Sequence, residues 1–157
     1  MTRIVEVEHW LKSLGETHAT LLGLGLDPDL PFIKLYSGAT ELYLEPEPGV
    51  SYRLDTETKV LQAVIVTIIR RVELEPEFKD LLSQPYGCRD KDAVRATWGN
   101  PISSRGPMAM PQPIGKTGGW DIYELSSQGF ASVELTYSYT TDFKVSGVVL
   151  RAKEDEA

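Results

Sequence analysis

The sequence predicts an α+β fold: a tandem duplication of one helix–loop–three-stranded antiparallel meander. Three observations carry that expectation. Apolar residues recur at helical spacing near residues 4–14 and again near 90–98. Each stretch leads into a Gly- and Pro-rich loop, then into runs alternating apolar and polar with period two, the pattern of a sheet with one wet face. Finally, residues 51–65 can be laid over residues 136–150 at an offset of 85.

That overlay places identical residues at Tyr52/Tyr137, Thr56/Thr141, Lys59/Lys144, Val60/Val145 and Val64/Val149. Upstream, Trp10–Gly15 matches Val94–Gly99 at an offset of 84. Both are helix ends with glycine at the position where a left-handed residue closes the last turn. The repeat predicts a single domain over residues 1–157, with halves at 1–72 and 86–153 and a linker at 73–85.

In the first half, Ile4, Val7, Leu11 and Leu14 mark a helix, with Thr2 as its N-cap. Residues 15–39, with four glycines and two prolines, read as a loop or short turns. Strands are expected near 40–45, 50–56 and 59–69. The third is apolar on both faces and should be central. In the second half, Asp90 or Asp92 caps a helix through Trp98, and a loop over 99–119 precedes strands near 119–125, 131–139 and 143–152. A short helix reaching Leu82 fits the linker. The six strands form one curved sheet or two packed sheets, with the helices on one side.

A chain of 157 residues buries roughly 70% of the surface it exposes when unfolded, and needs no disulfide or metal to fold. The single cysteine, Cys88, excludes an internal disulfide and a Cys-based zinc site. Acidic residues interrupt the N-terminal apolar positions, so no signal segment is expected. The most apolar run, Val60–Ile69, is too short to span a bilayer. The cytoplasm is the expected compartment.

Net charge is -7 and unevenly spread. Residues 1–80 carry 14 acidic and 8 basic side chains (-6), and residues 81–157 carry 9 and 8 (-1). Nucleic-acid binding needs the opposite sign, because affinity comes from neutralising phosphates. An acidic half suits a basic protein partner through electrostatic steering.

Catalytic chemistry is not expected. His9 and His18 lie nine residues apart across a helix end, which is no metal-ligand spacing. Cys88 has no neighbouring histidine. Gly115-Lys116-Thr117 lacks the first glycine of a phosphate-binding loop, since Met110 stands there, and a strand follows. No cofactor and no metal are expected. What recurs is acids separated by a stiffening proline, at Asp27-Pro28-Asp29 and Glu45-Pro46-Glu47. The residues expected to hold a partner are therefore Asp27, Asp29, Glu45, Glu47, Asp55 and Glu57. Tyr43, Tyr52, Trp120 and Tyr123 are the aromatic candidates to anchor it.

The loop Ser104–Tyr123, with Gly106-Pro107, Met108, Met110-Pro111, Pro113 and Gly118-Gly119-Trp120, together with Leu44–Val50 upstream, resembles the immunity proteins of nuclease-type (S-type) pyocins. The resemblance covers most of the chain and contributes no binding motif of its own. It implies a bacteriocin immunity protein that binds the basic nuclease (DNase) domain of its cognate toxin and neutralises it; a monomer is the favoured state, which the resemblance does not fix. The helix-then-meander unit also resembles tandem-repeat protein inhibitors of β-lactamase. The alternative reading is a small-ligand carrier, or a low-turnover enzyme, with a pocket inside the curved sheet.

Overall fold

A computed structural model describes residues 4–23, 32–34, 37–70, 76–111, 115–126 and 129–152. Two meanders lie side by side in one sheet. The first comprises β2 (Glu41–Glu47), β3 (Val50–Asp55) and β4 (Leu61–Thr67). The second comprises β9 (Trp120–Leu125), β10 (Phe130–Tyr139) and β11 (Val145–Ala152). Their third strands pair antiparallel, and β6 (Ser103–Arg105) adds an edge, giving the order β2-β3-β4-β11-β10-β9-β6, while β7 (Met108–Ala109) and β8 (Lys116–Thr117) pair in a separate hairpin. The fold is thus α+β with both meanders in a single sheet of seven strands, one more than the pattern predicts.

Strand parity decides which side chains are inside. One row crosses six strands as Leu44, Tyr52, Val64, Leu150, Leu135 and Tyr123. All six are buried. Helices α1 (Val7–Ser13) and α3 (Lys91–Trp98) cover this face through Val7, Trp10, Leu11 and Val94, and Trp98 packs at its margin. Leu21 of α2 (His18–Gly23) joins the same core.

The segment expected to be one N-terminal helix is divided. Ile4–Val5 forms β1, which pairs in parallel with β5 (Leu81–Leu82), and the helix starts only at Val7. β5 replaces the short helix expected in the linker. The reason is in the long-range bonding. Ser83 donates its N–H to Val5 O at 2.9 Å, and its Oγ accepts the Val7 N–H at 3.0 Å. Glu6 at the N-cap makes no side-chain cap, so a hydroxyl 76 residues away satisfies one of the free N–H groups of the first turn. Thr2, the expected cap, lies outside the described residues. α3 is N-capped as predicted, Asp90 Oδ1 accepting from Ala93 N at 2.8 Å; at its other end Gly99 takes φ 81° and ψ -143°, a glycine conformation other than the left-handed one expected. Where a loop or short turns were expected after Gly15, α2 forms, with Thr17 Oγ1 accepting from Thr20 N.

The pairings also correct the 85-residue overlay. Register shifts fall between Arg53 and Leu54 in β3 and between Ser138 and Tyr139 in β10, positions 85 apart. Beyond the hairpin turns the correspondence drops to 84. Leu54 pairs with Leu61, whereas Tyr139 pairs with Val145, so the second turn is one residue shorter. A one-residue slip exchanges the faces of a strand. Buried Val64 therefore corresponds to buried Val148, not to half-buried Val149, and the identities at Lys59/Lys144, Val60/Val145 and Val64/Val149 are not spatial equivalents. The helix correspondence changes too. Thr17, just before α2, bridges Val60; Asp90, just before α3, bridges Lys144. It is α2, not α1, that stands before β4 as α3 stands before β11.

Candidate partner-binding surface

The face opposite the helices carries the side chains of alternate parity. Its central row runs Ser51, Ile65, Val149, Thr136, Ile122 and Ser103 across β3, β4, β11, β10, β9 and β6. The row is half-buried from Ser51 to Ile122 and exposed at Ser103. A second row runs Tyr43, Arg53, Ala63, Arg151, Glu134 and Glu124. Arg53 and Arg151 flank Ala63, and Arg151 pairs with Glu134. This face is an aliphatic centre bounded by charge. Sequence reasoning noted the alternation but not this row, because a row appears only when the registers of six strands are known.

The acidic border lies along β2 and β3. Glu41 pairs in register with Asp55, and Tyr43 with Arg53. The Tyr43 hydroxyl donates to Glu41 Oε2 at 3.0 Å, while Arg53 Nε lies 3.9 Å from Glu41 Oε1 and makes no hydrogen bond. Glu45 is exposed further along β2. Residues 41–57 hold five acids against one arginine.

The predicted partner residues distribute as follows. Asp27 and Asp29 lie outside the described residues. Glu45 and Glu57 are exposed, and Tyr43 is half-buried. Asp55 is turned inward on its own hairpin: Oδ1 accepts from Glu57 N at 2.9 Å and Thr58 N at 2.8 Å. The Thr58 N–H above all, offset in part by desolvation and helped by the Glu57 N–H, holds this carboxyl below its ordinary value. Glu47 departs from the expected cluster. The register shift between Leu44 and Glu47 brings it opposite Val50, a core position, and it borders a surface hollow with His9 and Trp10 on the helix side. Glu45 and Glu47 thus face opposite ways. Trp120 is half-buried on the open face, with the Arg105 guanidinium 5.9 Å from its ring centre. Tyr52 and Tyr123 are core residues, 6% and 4% exposed, and not surface anchors. They share strand parity with Leu54 and Leu125, which places them under the helices.

One charged cluster escaped the sequence reading. Asp121 is fully buried on the helix-side face. Arg95 reaches it from α3 through two contacts of 2.8 Å, Nε to Oδ2 and Nη2 to Oδ1. Ser104 Oγ donates to Oδ1 at 2.6 Å and Tyr139 OH to Oδ2 at 2.7 Å. Burial pushes the Asp121 carboxyl up, but the bonds from Arg95, Ser104 and Tyr139 outweigh it and hold the pKa at about 2. Four donors occupy the four acceptor positions of the carboxylate, so the group is ionised and saturated. Burial first, then the bond to Asp121, pushes the Tyr139 hydroxyl well above its ordinary value. The missed signal was parity: Asp121 shares a face with Tyr123 and Leu125, and a charge there must be paired.

Beside this cluster, Trp98 Nε1 donates to Tyr137 OH at 3.1 Å, which donates to Tyr86 O at 2.8 Å. Tyr123 OH donates to Gly99 O at 2.9 Å. These bonds lock α3 to the sheet. Among the described residues, no three His, Cys, Asp or Glu side chains are grouped to hold a metal ion, and no helix is long and apolar enough to cross a membrane.

No family model matches the chain, and no curated protein matches it. Among solved structures, the crystal structure of a DUF4309 family protein (YjgB) from Bacillus subtilis is similar. It is 12% identical, with a TM-score of 0.46, over 89% of this chain and 81% of that one.

Proposed function

We propose that this chain is a non-catalytic binding protein that neutralises a basic protein partner, in the manner of an immunity protein acting on the nuclease domain of its pyocin. The observation that carries the reading is the open sheet face: a central row of Ile65, Val149, Thr136 and Ile122, mostly aliphatic, bordered by Glu41, Tyr43 and Glu45 on one edge strand. An apolar centre with a charged rim is the anatomy of a protein interface. The acids steer a basic domain towards the face, and the aliphatic row with Tyr43 and Trp120 slows its release. The protein acts in the cytoplasm, as a monomer, before the toxin leaves the cell.

The two meanders are copies of one unit in this reading. Support comes from the register shifts 85 residues apart and from the matching bridges Thr17–Val60 and Asp90–Lys144. Under the 84-residue correspondence, Ile65 and Val149 are equivalents and pair with each other. They stand where a local two-fold axis would cross the sheet.

The test is titration of the purified protein into the nuclease domain encoded beside its gene. Full loss of DNA cleavage at one equivalent is the expected result. Undiminished cleavage at a tenfold excess overturns the reading.

A further inference from the structure

A cavity of about 340 Å³ opens where the linker crosses the sheet. Its floor is apolar, with Ile68 from the end of β4 and Val148 from β11. Its lips are Ile4 and Leu81, paired in register between β1 and β5. They are 62% and 59% exposed, the two most exposed large apolar side chains among the described residues. Sites for small molecules occupy roughly 300–1,000 Å³ and combine an apolar body with a few polar groups. Two large apolar side chains held in water at the mouth of an apolar hollow mark a surface that a ligand would cover.

The polar groups set the ligand class. Arg89 lines the cavity, is exposed, and has no acid partner among the described residues. Asp80 also lines it but is already engaged in another interaction. The Cys88 thiol is held towards Pro85 O at 3.5 Å and Thr97 Oγ1 at 3.8 Å, and Arg89 is the one cationic side chain among the described residues of the lining. A guanidinium at the rim of an apolar hollow matches a molecule with a hydrocarbon body and one anionic end.

We propose that this cavity binds a small amphipathic organic anion, its chain against Ile68 and Val148 and its carboxylate on Arg89. The cavity lies on the helix side of the sheet, opposite the acidic border, so this inference stands apart from the partner reading.

Octanoate and octanol serve as probes, with binding read by isothermal titration calorimetry. Saturable octanoate binding is expected. Arg89→Gln should weaken octanoate about tenfold while leaving octanol unchanged, because only the charge-assisted bond is removed. Leu81→Glu should weaken octanoate at least as much, by placing a like charge at the lip. Both positions are exposed, so the fold should survive both changes, as far-ultraviolet circular dichroism would show. Absence of saturable octanoate binding at millimolar concentration overturns the proposal. So does octanoate affinity that neither variant changes, which would place the ligand elsewhere or make it a neutral apolar molecule.

Discussion

Arg95 and Asp121, 26 residues apart, meet in a two-pronged contact with both N···O distances at 2.8 Å. The contact joins α3 to β9 and draws in Ser104 of β6 and Tyr139 of β10. One carboxylate therefore ties a helix and three strands together. Leaving such a charge, or its buried partners, unpaired is costly, whereas the intact pair is close to neutral in net stability.

Replacing Asp121 by Ala should destabilise the protein by about 3–5 kcal/mol, since it strands the Tyr139 hydroxyl and removes the Arg95 acceptor. Urea unfolding measures this. A loss below 1 kcal/mol would mean the cluster is not formed in solution.

Acid should erode the same contact. The folded carboxyl has its pKa lowered from 3.8 to about 2. The stabilisation is thus fully present above the unfolded value of 3.8 and fades as pH falls towards about 2. Its size is on the order of 2 kcal/mol. Asp121→Asn should lack this step, so native and variant stabilities should converge between pH 4 and 2 when urea midpoints are compared across that range. Parallel curves would count against the assignment.

Two glycines with nearly the same backbone angle should respond differently. Gly99 has φ 81° and open space where a Cβ would stand; Gly119 has φ 89°, and a Cβ there would lie 1.9 Å from Arg105 O. Gly99→Ala should cost about 1–3 kcal/mol, because φ 81° with ψ -143° lies outside the left-handed helical well, in a region that only glycine adopts readily. Gly119→Ala should cost on the order of 3 kcal/mol or more, because β6 must move away from β9. Thermal unfolding separates the two, and equal losses would be the wrong result.

The tyrosines should divide by face. Tyr52→Ala should cost about 3–5 kcal/mol through its core cavity, while Tyr43→Ala should cost under about 1 kcal/mol. If the partner reading holds, Tyr43→Ala should instead speed dissociation of the nuclease domain, seen by surface plasmon resonance.

The acids should divide in the same way. Glu45→Lys combined with Glu57→Lys should slow association with a basic nuclease domain by about tenfold at low salt and flatten the salt dependence. Glu47→Lys, on the other face, should change the on-rate little. Stopped-flow mixing at two ionic strengths decides between them, and an effect of Glu47 as large as that of the pair would relocate the interface.

Much of the fold follows from short-range pattern. Period-two alternation puts Val50, Tyr52 and Leu54 on one face of their strand and Val133, Leu135, Tyr137 and Tyr139 on one face of theirs, and the structure buries both faces, which takes Tyr52 out of the expected anchors. Asp90 and Gly99 bound α3 because capping needs only neighbours in the chain. The acidity of residues 41–57 is likewise a property of composition alone.

What the tertiary structure decided were the relations between distant segments. Ser83 starts α1 from 76 residues away. A turn shorter by one residue moves Val149 to the open face and Val148 to the core. A register shift in β2 parts Glu47 from Glu45. Asp121 finds Arg95 only once α3 lies across β9. The physical reason is common to all four: backbone propensity and alternation act over a few residues, whereas register and burial are set by hydrogen bonds and packing between strands that meet only in the folded chain.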